Sequence, residues 1–410
     1  MRDGPFTGTR GDIAASLLKI GATAYGGPAI MGVMQAELQQ KRQWVSKERF
    51  LEGLSLVNMI PGATATQLAI FLGHARGGMA GGLLAGLCFV LPGFAIMLAL
   101  TIAYAALGVS PLMRGALYGL GPVVLGIYLV AVYRLGRTAV ATTPQLCLAV
   151  AAAAAAVWSP VGIAAILLLA GGAGLWLFHS RRIGTVVIAG LVATLAVLPH
   201  VVRAISAGSP ASASDAAHAA SLPRIGAFLL KVGAFTFGGG LSMIAFIQDQ
   251  VVNEFHWLTA QEFIDGLALG QFTPGPVLVV AAYVGYKAAG IAGAIVGAAA
   301  AFLPSFVLMI ALLPVFDRVR RLVWMRAAMR GIGPAVIGIL AVSLLRLAPH
   351  AMPDAFAAVV FAGTIVAVLY WRVAAMKVML VGAVLGVVRS RWWPLHAVRS
   401  TLSAGVGTRF

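Results

Sequence analysis

Two lysines sit inside apolar runs of this chain, each one to two turns ahead of a glycine cluster. Lys19 precedes Ala24-Tyr25-Gly26-Gly27-Pro28, and Lys231 precedes Thr236-Phe237-Gly238-Gly239-Gly240. A second pair of breaks follows: Asn58-Met59-Ile60-Pro61-Gly62-Ala63-Thr64, with Gln67 a turn later, and Gln271-Phe272-Thr273-Pro274-Gly275-Pro276. A helix restarting at such a break presents N–H groups without intrahelical partners and about half a positive charge. That makes a cradle for an anion. Asn58, Thr64, Gln67, Gln271 and Thr273 add polar side chains, and Lys19 and Lys231 add full charge. The implied ligand is a small oxyanion, held by these residues together with Gly26, Gly27, Pro61, Gly62, Gly238, Gly239, Gly240, Pro274, Gly275 and Pro276. Proton coupling would need carboxylates. The candidates are Glu37, Glu52, Asp249 and Asp265, all of which border polar loops.

Other chemistry has no footing. The seven histidines (74, 179, 200, 218, 256, 350 and 396) show no metal-ligand spacing. No Walker A loop and no GxSxG elbow is present. Cys88 and Cys147 lie in apolar runs and form no CxxC. Neither a cofactor nor a metal is expected, and an enzyme is not.

The elements that must position these residues belong in a membrane. Of 410 residues, 60% are hydrophobic and only 10% charged, with a mean hydropathy of +0.96. A soluble globule cannot hide that surface, whereas spans of about 20 apolar residues can use it. The net charge of +17 fits basic cytoplasmic loops rather than nucleic-acid binding. Met1 to Asp12 is polar, with no apolar signal region.

The chain is also a duplication. At an offset of 212, Leu18-Lys19-Ile20-Gly21-Ala22 meets Leu230-Lys231-Val232-Gly233-Ala234, and Leu91-Pro92-Gly93-Phe94 meets Leu303-Pro304-Ser305-Phe306. Gly119-Leu120-Gly121-Pro122 likewise meets Gly331-Ile332-Gly333-Pro334. Between these the offset becomes 213, pairing Trp44 with Trp257 and Pro61-Gly62 with Pro274-Gly275. One apolar segment, 183–203, has no partner, and the Ala/Ser/Gly/Pro-rich stretch 204–223 after it reads as a linker. If each repeat crosses an even number of times, that extra span inverts the second. The loop Gln39 to Arg49 carries four basic residues, while its partner Asp249 to Glu262 carries only acidic ones. Opposite bias at equivalent loops supports inverted repeats, which characterise secondary transporters. The expected fold is therefore an all-α polytopic membrane protein of two homologous halves, with about 13 transmembrane or re-entrant segments, some of them broken. The expected division is 12–180, 181–223 and 224–390. The basic stretch Arg389 to Arg409 favours the cytoplasm, whereas an odd number of crossings puts it outside.

Segments 50–59 and 62–75 are too short to span alone, at roughly 15 and 21 Å. Together they make a re-entrant hairpin or a broken helix, whereas 13–36 and 224–248 read as single apolar segments. Gly-Gly-Pro and Pro-Gly-Pro are also the sequences of tight turns, but recurrence in both halves beside polar residues argues for a site. The two lysines fit snorkelling to an interface equally well. Gly78, Gly82 and Gly86, and Gly293 with Gly297, read as helix-packing surfaces.

Taken together, these motifs resemble the chromate transporter family in its long, two-domain form. The resemblance rests on Tyr25-Gly26-Gly27-Pro28, Pro61-Gly62 with Gln67 to Gly73, and Leu91-Pro92-Gly93-Phe94. In the second half it rests on Phe237-Gly238-Gly239-Gly240, Trp257-Leu258-Thr259, Thr273-Pro274-Gly275-Pro276 and Phe302 to Phe306. Two positions depart from the family pattern: Tyr25 replaces the usual Phe, and Ala63 replaces the second Pro of Pro-Gly-Pro. The resemblance implies a bacterial inner-membrane protein that exports chromate and confers resistance, driven by a membrane potential or proton gradient. Sulfate is the natural analogue. Uptake of sulfate or another oxyanion is the alternative, with an intramembrane enzyme acting on lipid phosphate as a more distant one. The expected partners are the oxyanion and the bilayer, not nucleic acid, and a homodimer is a candidate assembly.

Overall fold

Polar caps and Gly/Pro breaks set the helix boundaries. Ser46, Ser110 and Thr259 each accept a hydrogen bond from the backbone N–H three residues on, opening the helices that follow them. The structure, a computed structural model, describes residues 9–25, 27–107, 110–159, 161–206, 220–237, 240–316 and 322–392. Gly26, Gly238, Gly239 and most of the 204–223 linker lie outside them. Fifteen α-helices occur among the described residues, and no strand.

In the first half these are α1 (Arg10–Thr23), α2 (Gly27–Met34, continued by a π-helical turn Gln35–Lys41), α3 (Lys47–Val57), α4 (Thr64–Leu107), α5 (Pro111–Ala139), α6 (Thr143–Trp158) and α7 (Ile163–Phe178). Helix α8 (Arg181–Ser206) is the unpaired segment. The second half repeats the order as α9 (Leu222–Ala234), α10 (Ser242–Ile247, with π-helical Gln248–Glu254), α11 (Ala260–Phe272), α12 (Val280–Leu312), α13 (Val323–Ala351), α14 (Ala355–Leu369) and α15 (Ala375–Trp392). Even the breaks recur: α4 bends at Gly77-Gly78, and α12 at Ala289-Gly290.

The runs 13–36 and 224–248 are not single segments. Each is a hairpin of two short helices, α1 with α2 and α9 with α10. Arg42 at the end of the α2 hairpin pairs with Asp12 at the start of α1 at 2.8 Å. Helix α3 and the first part of α4 form a second hairpin, with the Arg49 guanidinium 5.5 Å from the Phe71 ring. In the other half, the Lys231 ammonium donates to Gln250 Oε1 at 3.4 Å across the α9–α10 hairpin. The Tyr283 hydroxyl donates to the Glu262 carbonyl at 2.7 Å across α11 and the start of α12. Each hairpin enters and leaves by one face.

Among the described residues, four helices are long and apolar enough to cross a membrane: α4, α5, α12 and α13. Helices α6, α7 and α14 have 16, 16 and 15 residues, about 24 Å, short of a 30 Å hydrocarbon core. Their direction follows from their contacts. Gln145 of α6 donates to the Arg330 carbonyl at 3.5 Å, and Arg346 donates to the Ala156 carbonyl at 2.9 Å, so α6 runs parallel to α13. Gly174 of α7 packs on Ala327 and Gly331, so α7 runs back. Each half thus holds two hairpins followed by a set of longer helices, with α8 between the two halves. Arg49, whose guanidinium lies 4.3 Å from the Phe316 ring, shares a face with Lys47, Arg326 and the start of α8. The other face carries Glu254, Glu262 and Asp354, and Arg389 of α15 reaches Asp354 there at 2.6 Å. The end of α15 therefore lies opposite the basic face.

The halves are interleaved. Gly119 of α5 packs on Gly382 and Gly386 of α15, and its equivalent Gly331 of α13 packs on Ala170 and Gly174 of α7. Gly126 meets Thr364 of α14, and Gly338 meets Ala149 of α6. Small residues let backbones approach closely where lipid gives no hydrophobic drive between helices. Two bodies result: α1–α4 with α9–α12 carries the hairpins, and α5–α7 with α13–α15 forms the other.

Candidate functional site

The hairpin tips of the two halves meet and exchange hydrogen bonds. The Gly62 N–H donates to the Thr236 carbonyl at 2.7 Å, and the Gly275 N–H donates to the Ala24 carbonyl at 2.8 Å. These are equivalent bonds, since Gly62 corresponds to Gly275 and Ala24 to Thr236. Both glycines hold a left-handed backbone, with φ +125° and +92°, which costs a residue bearing a Cβ. The Ala63 N–H donates to Ser305 Oγ at 2.7 Å. Three of the amides that the sequence leaves free for an anion are therefore committed to joining the halves. What stays at the α4 terminus is its own first turn, Thr64 to Thr66, whose N–H groups have no intrahelical partner.

Polar side chains line this tip from within. Gln67 is fully buried, and its Nε2 donates to the Pro61 carbonyl at 2.6 Å. Its Oε1 has no partner among the described residues, nor does the buried Thr66 hydroxyl. Asn58 donates to the Leu54 carbonyl at 2.9 Å. Beside this tip lies a cavity of about 350 Å³ between the two bodies, lined by Asn58, Thr64, Phe237, Thr138, Gln145 and Arg330, among others. At the opposite tip Thr273 is buried and donates to the Leu269 carbonyl at 2.9 Å, and Gln271 faces Tyr128.

The lysines are elsewhere. Lys19 lies on the exposed side of α1, and Lys231 turns to Gln250. Full charge at the cavity comes instead from Arg330, whose guanidinium rests 4.3 Å from the Phe178 ring. Its signal was in the sequence, as an arginine inside the apolar run 326–347 just before Gly331-Ile332-Gly333-Pro334. Thr138 and Gln145 carried no such signal, because only the interleaving of α5 and α6 with α13 brings them there.

The four candidate carboxylates separate clearly. Glu37 pairs with Lys41 and Arg42, Glu52 with Arg49, and Asp249 with Arg346. Asp265 is 5% exposed. It accepts from the Tyr104 hydroxyl and from Gln261 Nε2, both at 3.0 Å. The equivalent of the Tyr104–Tyr283 ring pair is Phe316–Phe71 on the other face, where Glu52, the counterpart of Asp265, pairs with Arg49 instead of a tyrosine hydroxyl.

A family profile described as Chromate transporter matches residues 11–175 and 224–387, once in each half. The chain belongs to the chromate transporter family. It is similar to the chromate transport protein of Cupriavidus metallidurans, with 32% identity over 90% of each chain. It is also similar to the probable chromate transport protein of Synechococcus elongatus, at 33% identity over 82% of this chain and 84% of that one. Identity to the chromate transport protein of Pseudomonas aeruginosa is 31%, over 82% of this chain and 80% of that one. No solved structure matches the chain. As a member of the chromate transporter family it is a multi-pass membrane transporter of oxyanions, not an enzyme. The two profile matches leave out α8.

Proposed function

We propose that this transporter exports chromate from the cytoplasm across a bacterial inner membrane, conferring resistance, and binds it at the hairpin tips. The observation that carries the site is the cavity beside the α3–α4 tip, where a helix N-terminus, Asn58, Thr64 and Arg330 converge. A helix end supplies about half a charge and an arginine a full one, and both suit a dianion. By the positive-inside rule the basic face is cytoplasmic. Moving a dianion out of a negative interior is downhill by about 2.3 kcal/mol per charge per 100 mV. Of the four carboxylates, Asp265 best fits a proton carrier, because it is buried beside Tyr104 and pairs with no cation among the described residues. We keep 12–180, 181–223 and 224–390 as the domain division.

Accumulation of labelled chromate in cells with and without the transporter tests this reading, with sulfate as competitor. Lower accumulation that rises again on Arg330→Gln supports export through this cavity. Higher accumulation in transporter-bearing cells would mean uptake and make sulfate or another oxyanion the substrate.

A further inference from the structure

On the basic face a second cavity, of about 690 Å³, is lined by Arg134, Arg137 and Arg372, with Tyr133 and Thr138. Arg134 and Arg137 come from the last turns of α5, and Arg372 from the turn between α14 and α15. Gly136 packs toward Ile337 and Ala139 toward Gly333, while Gly121 packs toward Ala351, so α5 runs antiparallel to α13 and its last turns point toward the face of Arg49 and Arg326. Arg134 spends one nitrogen on the Val368 carbonyl at 2.7 Å, capping α14. Arg137 and Arg372 are exposed and have no carboxylate partner among the described residues, and no carboxylate lines the cavity. Arg372 is held with φ 52°, an uncommon conformation for a side-chain-bearing residue. Three full charges there outweigh the two half-charges of the α5 and α14 C-termini.

The positive-inside rule explains arginines on this face. It does not explain their convergence on one cavity, nor that Thr138 lines this cavity and the tip cavity alike. The inverted half supplies the comparison. Arg134 corresponds to Arg346, which Asp249 approaches at 3.8 Å; Arg137 corresponds to Pro349, and Arg372 to Pro160. The opposite mouth has lost two charges and has an acid against the third.

We propose that Arg134, Arg137 and Arg372 form a capture site for dianionic oxyanions on the basic face, which hands them past Thr138 to the tip cavity. The site deepens the export reading and rests on it for its direction. Clustered charge in a cleft raises the local concentration of the opposite ion. Labelled sulfate is the probe, in equilibrium dialysis against full-length protein in nanodiscs of phosphatidylcholine alone.

Arg137→Gln with Arg372→Gln is expected to raise the dissociation constant about tenfold, and the two Lys replacements to raise it far less. An unchanged constant in the Gln pair would overturn the site. So would a shift that vanishes when phosphatidylglycerol is added, because lipid headgroups would then own the mouth. Chromate uptake into everted vesicles separates the two readings. No uptake by the unaltered transporter with a shifted constant leaves the capture site and removes chromate export. Uptake with an unshifted constant does the reverse.

Discussion

Ser305 Oγ accepts the Ala63 N–H at 2.7 Å, joining the spanning part of α12 to the tip of the opposite half. The equivalent positions are Gly93 and Pro276, where the acceptor side chain and the N–H are both absent. The first tip departs from Pro-Gly-Pro at Ala63, and Ser305 answers the amide that this departure exposes. Ser305→Gly leaves that buried N–H unpaired and should cost about 1–3 kcal/mol. Adding Ala63→Pro removes the donor and should recover part of the loss. Thermal unfolding of the purified transporter would decide it, and purely additive costs would refute the compensation.

The two tip glycines should differ in tolerance. A Cβ on Gly62 would collide with the Gln67 amide and come within 2.6 Å of Ser305 Oγ, whereas on Gly275 the nearest atom, the Gly21 carbonyl oxygen, is 3.3 Å away. Both alanines carry backbone strain of roughly 1–3 kcal/mol. Gly62→Ala should therefore lower the unfolding temperature further and abolish transport, while Gly275→Ala retains some of each. Equal losses in both assays would mean that strain alone matters.

Inversion of the halves makes a labelling prediction. Lys47 and Ala260 open the equivalent helices α3 and α11. With Cys88 and Cys147 replaced by alanine, Lys47→Cys should react with an impermeant maleimide only in everted vesicles, and Ala260→Cys only in intact spheroplasts. Reaction from one common side would contradict the inverted arrangement.

Asp265 carries the proton-coupling prediction. Asp265→Asn keeps the Tyr104 contact but cannot ionise, so transport should lose its response to an imposed proton gradient while binding survives. Glu37→Gln should leave the response intact, since Glu37 is committed to Lys41 and Arg42. An Asp265→Asn transporter that still responds fully would remove Asp265 from the coupling.

Much of this architecture is legible in the residues. The offset of 212 to 213 shows the duplication, loop charge shows the inversion, and Pro61-Gly62 and Pro274-Gly275 mark the tips, because Gly and Pro act locally. What the tips do with their amides is not legible. Gly62 N–H finds Thr236 and Ala63 N–H finds Ser305 through contacts more than 170 residues apart. The lysines misled for a related reason: their spacing ahead of the glycines is visible, but the side of α1 or α9 they occupy depends on what packs there. Arg330 reaches the cavity only because α13 lies against α5 and α6.

The interleaved packing also constrains how the molecule is made. The glycine-bearing face of α7 is completed by α13, yet about 145 residues separate Phe178 from Val323. At roughly 5–20 residues per second, α6 and α7 wait on the order of ten to thirty seconds in the bilayer before their partner emerges from the ribosome. Newly inserted α5 waits longer still for α14 and α15. The first half is thus born as an unfinished surface facing lipid, and assembly is completed only once α13 to α15 have emerged.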